Sequence, residues 1–318
     1  MNPIRIAVLD AATLGHDLDL SPLEQIGAVT VYPLTPPERI RERIADADVC
    51  VINKVKLTAD VLAGNGRLKL ICIAATGYDN IDTATCAAHG IAVCNGAGYS
   101  ANSVSQLTLA MVLSASVHLP TYRASVADGR YSAGSVQNIL TPVYHELAGK
   151  TWGIVGYGGI GQQVGQAARA LGCEVVVHKR TPVDGVTCLP LDDLLAVADI
   201  VTVHVPLTDV TRGMIGAREL SRMKDGAFLV NVARGAVLDE EATARAVESG
   251  KLGFFGCDVY STEPMPDTHP FYRIRNRDNV CLTPHMAWGA YEARERCLNE
   301  IGENIRAFFA GDRRNRVV

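Results

Sequence analysis

The chain has 318 residues, about twice a typical domain, so length alone favours two domains. Hydrophobic residues make up 48% and charged residues 20%, which excludes a disordered chain and leaves enough apolar material for two cores. The formal net charge of -4 argues against nucleic acid or an anionic membrane as the main partner.

No apolar run approaches the roughly 18 residues of a membrane span. The start, MNPIRIAVLD, reads as a first strand and not as a leader. Over the first hundred residues, β-branched runs (IRIAVLDA, AVTVYP, DVCVINK, LKLICIAA, IAVCN) alternate with the helical patterns PPERIRERIADA and DTATCAAHG. Strands that are apolar throughout are buried on both faces, as in a parallel sheet covered by helices. The stretch 102–119, NSVSQLTLAMVLSASVHL, predicts one long helix with more apolar residues than a single covered face needs. Residues 128–148 lack periodic apolar positions and read as a loop-rich excursion. From Lys150 the alternation restarts with KTWGIVG, EVVVHK, DIVTVHVP, GAFLVNVA, GFFGCDVY and NVCLTP as strands. Helices over 160–171 and 239–249 lie between them, and 290–310 forms a final amphipathic helix. The pattern is α/β with two doubly wound units.

Nine cysteines, at 50, 72, 86, 94, 173, 188, 257, 281 and 297, form no CxxC pair and sit mostly in apolar runs. They predict buried reduced thiols and a cytoplasmic protein. No HExxH, EF-hand loop or Cys/His cluster suggests a metal site.

The strongest local motif is Gly156-Tyr157-Gly158-Gly159-Ile160-Gly161, between the strand 151–155 and a helix whose apolar face is Ile160, Val164, Ala167, Ala168 and Leu171. Gly156 suits a tight turn, Gly158 a close approach of backbone to pyrophosphate, and Gly161 close packing of helix on strand. The helix N-terminus offers free N–H groups to an anion. A dinucleotide site follows. An NAD site usually ends its second strand with an acid that holds the ribose 2′-hydroxyl. Here the run is His178-Lys179-Arg180-Thr181, with Lys179 23 residues after Gly156 and the next acid only at Asp184. Cations there favour a 2′-phosphate, so NADP is the preferred cofactor, with NAD possible if the pair is only a solvated turn.

Three polar residues stand just past strands of the second unit: Arg234, Glu263 and His285. A cation can bind a carboxylate and polarise a carbonyl, an imidazole can protonate the alkoxide, and a carboxylate can orient that imidazole. Taken singly, each also has an ordinary structural reading.

ELAGKTWGIVGYGGIGQQV, ADIVTVHVPLTDVTRGMI, MKDGAFLVNVARGAVLDEEA, GCDVYSTEP and LTPHMAW, in this order and separation, resemble the D-isomer-specific 2-hydroxyacid dehydrogenases over residues 45 to 310. The resemblance assigns substrate binding to Arg234, proton transfer to His285 and its partnering to Glu263. It puts Asp258 near the nicotinamide amide and gives the loop Ala75-Thr76-Gly77, with Lys54, to the substrate carboxylate. The cofactor set it implies takes in the glycine loop, His178, Lys179, Arg180, Thr181, His204, Val205, Pro206, Thr211, Val232 and Ala233, although His204 also reads as a structural histidine. It implies a Rossmann nucleotide domain, 102–289, inserted into a flavodoxin-like substrate domain, 1–101 with 290–318, substrate in the cleft, and a homodimer built through the helix 102–119. Trp288 resembles the glycerate dehydrogenase and hydroxypyruvate reductase branch, and Glu263 stands where formate dehydrogenases carry Gln. Gln106 departs from the acid often found in the long helix. The expected activity is NAD(P)H-dependent reduction of a small 2-keto acid, hydroxypyruvate or glyoxylate first. The alternative is a dinucleotide-sensing, corepressor-like binding protein on the same fold.

Overall fold

The computed structural model describes residues 3–318, which divide into two compact units. One takes in the described residues up to Ser100 together with Trp288–Val318, and the other is Ala101–Ala287.

The first unit holds strands β1 (Ile4–Val8), β2 (Gly27–Val31), β3 (Val49–Ile52), β4 (Leu70–Ile73) and β5 (Ala92–Asn95), all parallel, in the order β2-β1-β3-β4-β5. This is the flavodoxin order. Alternate residues serve opposite cores, because successive strand side chains point to opposite faces. Ile6, Val8, Val49, Val51, Leu70 and Cys72 pack with Ala293, Leu298, Ile301 and Ile305 of the helix Tyr291–Ala310. Ala7, Cys50, Ile52, Ile71 and Ile73 pack on the other side with Ile40, Ile44 and Leu62. The chain end lies along β5, where Val317 N donates to Val93 O at 2.7 Å and covers an otherwise open sheet edge.

The second unit holds β6 (Thr151–Val155), β7 (Glu174–His178), β8 (Thr187–Cys188), β9 (Ile200–Val203), β10 (Ala227–Asn231), β11 (Leu252–Cys257) and β12 (Val280–Leu282). All pairings are parallel, in the order β12-β11-β10-β9-β6-β7-β8. The chain starts in the middle at β6, runs outward through β7 and β8, and returns to β9 on the other side. The reversal between β6 and β9 is the switch point at whose carboxyl end an open α/β sheet binds its ligand.

The long helix expected over 102–119 is two helices, Ala101–Ser116 and Leu119–Ala127. The break falls at His118, which adopts φ +48°. Pro120 explains it: proline has no N–H to donate inside a helix but suits the first turn of a new one. Residues 129–150 contain no helix or strand, as their lack of periodicity predicts. The two-residue strand β8 carried too little pattern to be read.

All nine cysteines are free, and most are buried. Burial pushes the Cys86 thiol up to about 11 and Cys297 up to about 12. Among the described residues no helix is long and apolar enough to cross a membrane, and no group of three or more His, Cys, Asp or Glu is placed to hold a metal ion.

Candidate active site

The glycines at the end of β6 have different physical reasons. Gly156 adopts φ +97°, its N–H donates to His178 O at 2.9 Å, and a Cβ there would meet the His204 carbonyl carbon at 2.7 Å. At Gly161 a Cβ would meet Gly156 O at 2.3 Å. The fold itself therefore requires both. Gly158 is different, because a Cβ on it would meet nothing within 4 Å. It opens the helix Gly159–Ala170 without a side-chain cap, so no side chain takes up the first N–H groups. The buried face of this helix is Gly161, Val164, Gly165 and Ala168, while Ile160 and Ala167 are half-buried and Leu171 is exposed. Glycines at 161 and 165 bring the helix backbone against Ile154 of β6, and Leu171 stands just past the helix end at Ala170.

His204 follows β9, with its N–H donating to Val155 O at 2.7 Å. Both ring nitrogens are buried and have no hydrogen-bond partner among the described residues. Burial pushes its pKa down to about 3, so the ring is neutral. Unpartnered buried polar atoms are costly, and a ligand group can satisfy them. An open glycine cradle, an uncapped helix start and the orphaned His204 nitrogens together fit a dinucleotide. Val205 lies against the Gly156 turn. Thr211 Oγ1 donates to Pro206 O at 2.6 Å and accepts from Thr208 N at 2.8 Å, which folds the loop after β9. Val232 is buried and Ala233 half-buried just past β10. His178 Nδ1 donates to Leu189 O at 3.1 Å, so this ring face is committed to the chain. Lys179 is half-buried, Arg180 and Thr181 are exposed, and neither cation forms an ion pair with a described residue.

Glu263 and His285 meet. His285 Nδ1 lies 2.6 Å from Glu263 Oε2, and Glu263 Oε1 accepts from Tyr260 N at 2.9 Å. Nδ1 faces the carboxylate, so Nε2 is the ring nitrogen on the side away from Glu263. The segment that carries His285 is held by Asp258, which is fully buried after β11. Asp258 Oδ1 accepts from Thr283 Oγ1 at 2.6 Å and Met286 N at 2.9 Å, and Oδ2 accepts from Ala287 N at 2.8 Å. Between these anchors His285 adopts φ +53°. Arg234 is half-buried, and its guanidinium donates to Ala233 O at 2.8 Å. Asn231, fully buried at the end of β10, shapes its turn: Nδ2 donates to Arg234 O at 2.9 Å, and Oδ1 accepts from Ala233 N at 3.0 Å. Sequence reasoning passed over Asn231, although an amide ending the apolar run AFLV was its signal.

In the other unit, Asp10 is buried and accepts from the N–H groups of Asn53, Lys54 and Val55, which fixes the Lys54 turn. Burial pushes the Asp10 carboxyl above its usual range, against the pull of those three donors. The Lys54 ammonium lies 5.9 Å from the centre of the Trp288 ring. Ala75 O accepts from Gly96 N at 2.9 Å, and Thr76 Oγ1 donates to Gly96 O at 3.1 Å. Gly77 is half-buried in the same loop.

The glycine contrast is testable. Gly161→Ala should lower stability by about 1–3 kcal/mol through backbone overlap, read from the urea midpoint. Gly158→Val should leave the midpoint nearly unchanged and weaken dinucleotide binding at least tenfold by calorimetry. Equal binding by Gly158→Val and the unmutated chain would refute the cradle.

Residues 109–287 match the family model described as "D-isomer specific 2-hydroxyacid dehydrogenase, NAD binding domain". The chain is 37% identical to glycerate dehydrogenase of Methylorubrum extorquens, over 88% of each chain. It is 33% identical to hydroxypyruvate reductase of Blautia hydrogenotrophica, over 97% of this chain and 98% of that one. The structure of D-lactate dehydrogenase from Aquifex aeolicus, complexed with NAD and lactic acid, is similar with a TM-score of 0.84 at 29% identity, covering 97% of this chain and 96% of that one. Nothing in these relatives supports the corepressor-like alternative. A parallel sheet of Rossmann order, a glycine cradle at its switch point and family likeness along most of the chain lead to one conclusion: the chain belongs to the D-isomer specific 2-hydroxyacid dehydrogenases, oxidoreductases that use a nicotinamide dinucleotide.

Proposed function

We propose that the protein reduces hydroxypyruvate or glyoxylate to the corresponding D-2-hydroxy acid or glycolate, with NADPH as the preferred cofactor and His285 as the proton donor. The observation that carries the catalytic part is the 2.6 Å contact between His285 Nδ1 and Glu263 Oε2 beyond the strands β11 and β12. The names of the two relatives, glycerate dehydrogenase and hydroxypyruvate reductase, support hydroxypyruvate as the first of these substrates.

The dinucleotide, when bound, supplies the hydride to the carbonyl carbon. Arg234 pairs with the substrate carboxylate and polarises the carbonyl. As negative charge develops on the carbonyl oxygen, His285 gives it the proton from Nε2, and the reverse reaction returns that proton. Glu263 holds the imidazole in the required orientation and balances its charge while it is protonated. The backbone N–H groups of Ala75, Thr76 and Gly77, with Lys54, serve the substrate carboxylate. Asp258 would stand near the nicotinamide amide, His204 near the adenosine and His178 to Thr181 near its ribose, with Val205, Pro206, Thr211, Val232 and Ala233 completing the residues that would hold the dinucleotide. Reduced thiols suit the cytoplasm, the compartment this reading assigns.

The experiment is loss of reduced-nicotinamide absorbance with purified protein and a panel of 2-keto acids. His285→Ala should lower kcat in both directions by about 10²–10⁴, the range of a lost general acid, with dinucleotide Kd unchanged. A variant that retains kcat would overturn the assignment.

The cofactor preference rests on Lys179 and Arg180 at the end of β7, where no acid stands. A charge-assisted hydrogen bond to the 2′-phosphate is worth about 1.5–3 kcal/mol. Lys179→Asp should therefore raise KM for NADPH by at least tenfold and improve use of NADH. Equal kcat/KM for the two cofactors in the unmutated enzyme would sink the preference.

The homodimer is proposed through the second unit, where Leu113, Leu119, Val126, Leu140 and Val143 are exposed apolar residues on or after the helices 101–127. Sedimentation should give twice the mass of one chain, and a monomer at micromolar concentration would exclude it.

A further inference from the structure

A second His–Glu pair lies beneath the turn that carries Glu263. Glu240 begins the helix Glu240–Glu248, six residues after Arg234, and is buried. Its Oε1 accepts from Ser261 N at 2.8 Å and its Oε2 from Ser261 Oγ at 2.5 Å. His269, also buried, has Nε2 2.9 Å from Glu240 Oε2, out of line for a good hydrogen bond. His269 Nδ1 accepts from Phe271 N at 3.1 Å, so the ring proton belongs on Nε2, facing Glu240. The rings of Tyr260 and Phe271 stand edge-on to His269 at 5.7 and 5.1 Å and fix it in place.

The neighbouring N–H groups of Tyr260 and Ser261 thus go to two different glutamates. Tyr260 N donates to Glu263, the partner of His285, and Ser261 N donates to Glu240. The segment carrying Arg234 closes on the same turn from another side. A Cβ on Gly235 would meet the Tyr260 carbonyl carbon at 2.1 Å and Ser261 N at 2.2 Å. Glu240 therefore fastens the loop after β10, which carries Arg234, to the loop after β11, which carries Glu263. Tyr260 anchors the start of this turn, with its ring packed on the core and its hydroxyl donating to Thr283 O at 2.9 Å, and beyond it the buried carboxylate of Glu240 accepts two hydrogen bonds from Ser261.

We propose that Glu240, backed by His269, is a positioning residue for hydride transfer, fixing through Ser261 the turn from which Glu263 orients His285. It touches neither substrate nor dinucleotide and acts through the Glu263–His285 pair. This rests on the reading of that pair as the proton-transfer device.

The test is a double-mutant cycle on the full-length enzyme, read as kcat, KM and dinucleotide Kd. Glu240→Gln keeps the shape and removes the charge that faces His269. It should lower kcat about tenfold, the scale of a sub-ångström misplacement of a catalytic group, with KM and Kd within twofold. In a Glu263→Gln background the same substitution should cost less than twofold, because its effect passes through Glu263. A merely structural role would give the same loss in both backgrounds. Ser261 is exposed, so Ser261→Ala keeps the test open where Glu240→Gln folds poorly. It should lower kcat several-fold, and Ser261→Thr, which keeps the hydroxyl, should restore it. If Glu263→Gln alone leaves kcat unchanged, the proton-transfer reading fails. If Glu263→Gln lowers kcat while Glu240→Gln and Ser261→Ala do not, or if the losses simply multiply, the positioning role fails and the proton-transfer reading stands.

Discussion

The arrangement at the carboxyl ends of β10, β11 and β12 depends on one buried carboxylate. Asp258 follows β11, the strand between the other two, and its two oxygens take three hydrogen bonds from the segment 283–287. Its own N–H donates to Asn231 O at 3.0 Å, at the end of β10. A buried acceptor with three partners loses several hydrogen bonds at once if the segment 283–287 shifts. It also holds His285 in a left-handed conformation that a histidine adopts rarely, at a cost of about 1–2 kcal/mol per residue. Such a conformation persists only where the surroundings over-determine it, and the anchors on either side of His285 do so.

The doubly wound sheet explains why these loops converge. Parallel strands all finish on one side, so residues distant in sequence arrive on the same edge without any contact specifying it. Arg234, Asp258, Glu263 and His285 each follow a strand of one sheet. The same rule brings His204, after β9, beside the Gly156 turn after β6. The sheet brings these residues to one edge, and the local hydrogen bonds then set orientation: Asn231 for the turn of Arg234, Tyr260 N for Glu263, Glu263 for His285.

The glycine loop separates two demands that a motif merges. Gly156 and Gly161 answer to atoms of the chain itself, within 3 Å of where a Cβ would be, and Gly158 answers to no described residue within 4 Å. Beside it, His204 buries two nitrogens without partners among the described residues. A space left open and a polar group left unpaired are both unfavourable for an isolated chain, and both become favourable around a bound dinucleotide.

The sequence by itself determined the strands, because runs such as DVCVIN and AFLVN must be buried on both faces. It also determined the fold class, since βα alternation with parallel pairing has few right-handed solutions. The strand-to-helix context of Gly156–Gly161 marked the nucleotide loop, and the placement of Arg234, Glu263 and His285 just past strands marked the catalytic candidates. Two readings of the sequence did not hold: the single helix at 102–119, where Pro120 begins a second one, and the helix face at Leu171, which lies exposed just past the helix end. The family resemblance had paired Glu263 with His285, but tertiary structure alone decided that His269 meets Glu240. His285 with Glu263 spans 22 residues and His269 with Glu240 spans 29, and no periodicity encodes either pairing. Side-chain hydrogen bonds of that range depend on where the sheet delivers its loops. Neither Asn231 nor Glu240 therefore shows its role until those loops are in place.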